Sequence, residues 1–288
     1  MNKIGFISGI LSGFFWALAG LFYIEVANKF TNSSHIVFVL LFCIEFIPWL
    51  FLSFSIFFLK KYFSFDKKLI LPFFAGLFAG PIAMYCYINA ISIIGLSLSS
   101  SITSLYPVIA TLLAFIFLKE KLNLLGFFGI FLAFGALFFL YFDQFNLNFI
   151  GFILAFLCAL SWGVELILSS VALKSLPTIS VYYARQTGAS FGYAILILTQ
   201  NLIFVSLESI SFDFFILLFF LIFAWSLSYF LYYFAIANIG IIKAMMLNIS
   251  YIIWITLIQK EFNLKQIILV VLIFIGINLV LWSKKEKN

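Results

Sequence analysis

Apolar runs long enough to cross a bilayer follow one another along nearly the whole chain, each closed by a short cluster of charged residues, Asn, Pro or Gly. A transmembrane helix needs about twenty predominantly apolar residues. Ten stretches meet that length: 4–27, 36–59, 69–93, 97–118, 124–142, 149–172, 179–204, 214–237, 241–258 and 264–282. The pattern predicts an all-α membrane protein of ten transmembrane helices. The first stretch is too long for a leader and lacks a small-residue cleavage site, so it is expected to stay as a span.

Composition closes off the soluble alternatives. Hydrophobic residues make up 66% of the chain and charged ones 9%, too few to build a water-facing surface. Cys43, Cys86 and Cys158 fall inside spans without paired spacing and read as small buried hydrophobes, not as a disulfide or metal framework. The net charge of +6 is a matter of topology. With the N-terminus inside, Lys3, Lys60, Lys61, Lys67, Lys68, Lys119, Lys121, Lys174, Lys284, Lys285 and Lys287 are cytoplasmic, whereas Lys29, Lys260 and Lys265 are external. The positive-inside rule then places both termini in the cytoplasm. No exposed basic domain exists to hold a nucleic acid.

The two halves repeat each other. Ala90-Ile-Ser-Ile-Ile-Gly95 recurs as Ala235-Ile-Ala-Asn-Ile-Gly240, and at the same offset Tyr106 meets Tyr251 and Thr111 meets Thr256. Lys119-Glu120 matches Lys260-Glu261 once about one helical turn is deleted from the second copy, and Trp16 aligns with Trp162. The expected units are residues 1–145 and 146–288, five helices each. Two odd-numbered units joined head to tail enter the membrane in opposite senses, which gives the inverted repeat of secondary transporters, with substrate at the midplane between the repeats.

These features, with the opening Ser12-Gly-Phe-Phe-Trp16 and the Lys-Glu pairs closing spans four and nine, resemble the drug/metabolite transporter superfamily, EamA type. Four segments are similar to the LicB-type choline permeases: Ala79-Gly-Pro-Ile-Ala-Met84, Ser99-Ser-Ser-Ile-Thr-Ser-Leu-Tyr-Pro107, Ser161-Trp-Gly-Val-Glu165 with Ser169-Ser170, and Leu247-Asn-Ile-Ser-Tyr-Ile-Ile-Trp254. The resemblance implies import of choline or a similar quaternary ammonium compound across a bacterial inner membrane. Tyr85, directly after Met84, departs from the choline-permease pattern and is kept as a candidate wall residue.

A trimethylammonium group has no N–H to donate, so apolar contact, aromatic faces and a carboxylate must hold it. Trp16 and Trp162 lie near the midpoints of spans one and six, and Tyr251 near that of span nine. Glu165 follows Trp162 by three residues, on the same helix face. A charge at this depth costs at least about 2.5–3.5 kcal/mol, so Glu165 needs a wet cavity or a partner. It is the candidate counter-charge. Arg185 lies at nearly the same depth and can pair with it, or with Glu45 of span two. Asn248, on the face of Tyr251, can bind a substrate hydroxyl or tie two helices together.

The remaining signals read structurally. Gly9, Gly13, Gly76 and Gly80 and the serines between Ser97 and Ser104 allow close helix approach; Pro81 and Pro107 kink or break their spans. Trp49 and Trp282 read as interfacial anchors, Lys243 as a snorkelling anchor, and His35 as a loop residue. Glu25 can draw cations to the entrance or face headgroups. No nucleophile with a base and no metal-ligand spacing occurs at membrane depth, so neither an enzyme nor a cofactor is expected; without a phosphate-binding loop the chain is no primary pump. The partners expected are a small cationic substrate, the bilayer and, as an option, a second copy of the chain. The rival reading is an exporter of amino acids or other small metabolites, because one fold supports either direction.

Overall fold

The computed structural model describes residues 2–28, 34–142, 148–199, 212–260 and 263–283. Every regular element among them is helical. The helices are α1 (Lys3–Asn28), α2 (Ser34–Leu59), α3 (Lys67–Ile94), α4 (Leu96–Leu118), α5 (Leu124–Tyr141), α6 (Phe149–Leu173), α7 (Thr178–Thr199), α8 (Phe212–Ile239), α9 (Ile241–Gln259) and α10 (Leu264–Trp282). Among the described residues, nine are long and apolar enough to cross a membrane. The exception is α7, which carries Ser180, Arg185, Gln186 and Ser190, all buried. It packs between α2, α3, α6 and α8. Neighbours cover its polar residues, while Phe191, Ile195 and Leu198 further along are exposed, so apolarity is demanded of only part of it.

Several backbone irregularities fall at proline or glycine. Pro81 lies in a π-helical turn, Phe78–Ile82, within α3; proline lacks the N–H that the α-ladder needs. Pro107 opens the second part of α4, Tyr106–Leu113, after a break at Ser104 and Leu105. The break in α9 falls between Ile241–Asn248 and Tyr251–Gln259. The joints before α4 and α9 are Gly95, with φ 80° and ψ 162°, and Gly240, with φ 85° and ψ 160°. Only glycine holds that conformation without strain. Left-handed Lys119 and Lys260 end the same two helices, and the piece from Tyr251 is four residues shorter than its counterpart from Tyr106, which closes with an extra π-helical turn at Ala114–Leu118.

Packing between the halves is reciprocal. Helix α1 lies on α8 and α9, and α6 lies on α3 and α4; α2 packs on α7 and α8, α7 on α2 and α3, and α5 on α10. Side-chain carbon at Gly9 or Gly13 would clash with α9 and at Gly76 with α7, and at Gly80 it would press on Ala189 and Tyr193 of α7, as their reading as close-approach residues expects. Cys86 and Cys158 pack together with Ala83, unoxidised.

The lysine-bearing turns gather at one end of the bundle. Lys68 Nζ donates to Ser175 Oγ at the α6–α7 turn (3.1 Å), and Asn2 Nδ2 donates to Asn238 Oδ1 at the end of α8 (2.7 Å). The Lys243 ammonium donates to the carbonyls of Leu281 and Ser283, at the last turn of α10. Trp49 departs from its reading as an interfacial anchor. It lies inside α2 and its Nε1 donates to Thr187 Oγ1 of α7 at 2.9 Å, whereas Trp282 is 75% exposed, as an interfacial anchor would be. The His35 side chain and the segments with Lys29, Asp143, Glu208 and Glu261 lie outside the described residues.

Candidate functional site

Three charged side chains from three helices meet inside the bundle: Glu45 of α2, Glu165 of α6 and Arg185 of α7, with 2%, 3% and 1% of their surfaces exposed. Among the described residues no other charged side chain is so buried. Arg185 Nη1 forms an ion pair with Glu45 Oε2 and also donates to Gln186 Oε1 (2.6 Å). Its Nε faces Glu165 Oε1 at 3.9 Å and has no hydrogen-bond partner. The bonded partner of Arg185 is therefore Glu45, and Glu165 is a near neighbour held by another group. That group is Tyr233, whose hydroxyl donates to Glu165 Oε1 at 2.6 Å and lies 2.8 Å from Ser169 Oγ.

An aromatic wall runs from this cluster into α1. The Arg185 guanidinium carbon sits 4.2 Å from the centre of the Tyr229 ring, within cation–π range. Tyr229 meets Trp16 edge-on at 5.5 Å and Tyr233 at 6.2 Å, and Trp16 lies 4.7 Å from Trp225. Trp225, Tyr229 and Tyr233 recur every four residues along one face of α8. The sequence reading missed all three. The signal was present as a stripe of polar aromatics in a helix otherwise rich in phenylalanine.

Trp162 occupies a nest of its own, one turn from Glu165 on α6. It packs edge-on against Tyr106 at 5.7 Å and near Tyr87 at 6.1 Å, and its Nε1 donates to the Ala79 carbonyl in the π-helical turn of α3. Tyr251 lies near Tyr141 of α5 and near Tyr106 and Tyr87, the rings around Trp162. The other candidates lie elsewhere. Asn248 Nδ2 donates to Ser12 Oγ at 3.1 Å, while Ser228 donates to the Ser12 carbonyl, so Asn248 ties α9 to α1. Tyr85 is 40% exposed beside Phe38, because two positions along a helix turn it away from the face of Tyr87.

A cavity of about 500 Å³ opens at the lysine-rich end, with Asn2, Glu120, Ser170, Lys174, Asn238 and Lys243 in its lining. Ser170 Oγ is buried without a partner, and its neighbour Ser169 holds the Tyr233 hydroxyl. Five residues of helix, about 7.5 Å of rise, separate Ser170 from Glu165. Among the described residues no cluster of His, Cys, Asp or Glu has the makings of a metal site.

Comparison with known proteins agrees with this architecture. The model of the EamA-like transporter family matches residues 3–142. Protein LicB of Haemophilus influenzae is 32% identical over 292 aligned residues, covering 99% of both chains. A crystal structure of a protein only 12% identical matches with a TM-score of 0.74, covering 97% of this chain and 96% of the other, a likeness that speaks for the fold alone. A full-length match at this identity settles the family of a multi-pass membrane protein: the chain belongs to the EamA-like transporters of the drug/metabolite transporter superfamily.

Proposed function

We propose that the chain imports choline or a related quaternary ammonium compound across a bacterial inner membrane by alternating access. The carrying observation is the charge count of the buried cluster. Two carboxylates share one guanidinium, so with all three ionised one negative charge is left over, beside an aromatic wall. Tyr233 gives Glu165 a hydrogen bond but no charge. A buried uncompensated charge is expensive, and a cation without donors, seated between Trp16 and Glu165, would supply the missing charge.

The reading includes ten spans in two inverted five-helix repeats with both termini cytoplasmic. The near-equal angles at Gly95 and Gly240, the reciprocal packing of the halves and the family match ending at residue 142 support the division near residue 145. The lysine-rich turns at one end support the orientation. The cavity at that end then serves as the inward vestibule, reaching Ser170 just below Glu165. The test is uptake of labelled choline into proteoliposomes with and without a proton gradient. Saturable uptake, competed by other quaternary ammonium ions, is expected. Liposomes that leave choline outside while releasing a loaded amino acid would favour the exporter reading instead.

A further inference from the structure

We infer that Glu45 is a positioning residue: by binding the Arg185 guanidinium, it holds that internal cation off Glu165 and leaves Glu165 open to the cation being carried. The inference rests on Glu165 being the counter-charge of that cation.

Arg185 already uses what an external quaternary ammonium ion would need. Its guanidinium covers the face of Tyr229, and its Nε stands 3.9 Å from Glu165 with no hydrogen bond made. It is a built-in competitor, kept from completing its contact. What restrains it comes from the side of α2. Glu45 takes Nη1, Gln186 Oε1 takes a second bond from the same nitrogen, and Gln186 Nε2 in turn reaches the Glu45 carbonyl (3.5 Å) and the Tyr182 hydroxyl (3.2 Å). The Trp49–Thr187 bond fixes α7 on α2 one turn away. Among the described residues, Glu165 meanwhile is hydrogen-bonded by Tyr233 and approached by Arg185 Nε at its Oε1. Without Glu45, the freed guanidinium has one carboxylate left within reach, and closing the remaining gap would neutralise Glu165 from inside. Coulomb attraction grows as the separation shrinks and is strong in a buried, weakly polarisable site.

The test is equilibrium binding of choline, and of its uncharged carbon isostere, to the full chain in nanodiscs. Four proteins are compared: wild type, Glu165→Gln, Glu45→Gln and Glu45→Gln/Arg185→Gln. Glu45→Gln should weaken choline about tenfold or more while leaving the isostere nearly unchanged, since it brings a positive charge to Glu165, which only a charged ligand feels. The double variant should return choline to within about threefold of wild type, because Glu165 again lacks an internal partner. A double variant no tighter than Glu45→Gln, or a parallel loss of the isostere, would make Glu45 a structural residue and overturn the inference. Should Glu45→Gln not fold, the double variant decides alone: choline binding within that threefold window upholds the inference, and any larger loss overturns it. Wild-type choline binding by Glu165→Gln would instead remove the counter-charge reading, so the two failures are distinguishable.

Discussion

Gly76 of α3 lies so close to the backbone of Arg185 on α7 that a side-chain carbon there would overlap the Arg185 carbonyl oxygen. One turn further along α7, Gly188 meets the Phe73 carbonyl in the same way. The helix that carries the buried guanidinium is thus seated against α3 backbone to backbone, without side chains to cushion it. The position of Arg185 follows from this contact as much as from its charge.

Gly188→Ala should therefore push α7 away from α3, at about 1–3 kcal/mol for overpacking a tight contact. A lowered thermal midpoint of the purified protein, with choline binding weakened at the same time, is the expected outcome. An unchanged midpoint and unchanged binding would mean that the close approach does not position Arg185.

The aromatic wall gives a second expectation. Trp16→Leu should weaken choline by about 0.5–2 kcal/mol, the range for a cation–π contact from exposed to desolvated. Trp16→Phe should lose less. Trp162→Leu should weaken choline within the same range. Titration of each variant with choline checks these, and leucine binding as well as tryptophan at both positions would dismiss the aromatic site.

Much of this was legible in the sequence, and the exceptions have physical reasons. Hydropathy located each helix, because lipid-facing surfaces must be apolar; it is less informative for α7, whose polar residues pack against other helices. The cost of a charge at membrane depth singled out Glu45, Glu165 and Arg185, and the structure brings all three together. Which carboxylate Arg185 bonds was not readable, since both lie at suitable depth and the choice depends on how three helices are rotated about their axes. Trp225, Tyr229 and Tyr233 were hidden among 42 phenylalanines that make any single aromatic unremarkable. Asn248 could equally bind substrate or join helices by its chemistry, and its bond to Ser12, which joins α9 to α1, was not readable from the sequence.

Topology supplies a further prediction. Reporter tags at both termini should be cytoplasmic, and reporters placed at Asn146 and Glu208 should be external. A terminus found outside would defeat the inverted repeat, since it would require an odd number of spans.

The central claim is that Glu165 balances the charge of the carried cation. Glu165→Gln keeps the shape of the side chain and removes its charge. The direct measurement is the affinity of wild type and Glu165→Gln for choline and for its uncharged isostere. The account predicts that the wild type prefers choline and that Glu165→Gln loses most of that preference while still binding the isostere. Equal preference for choline in both proteins would contradict it.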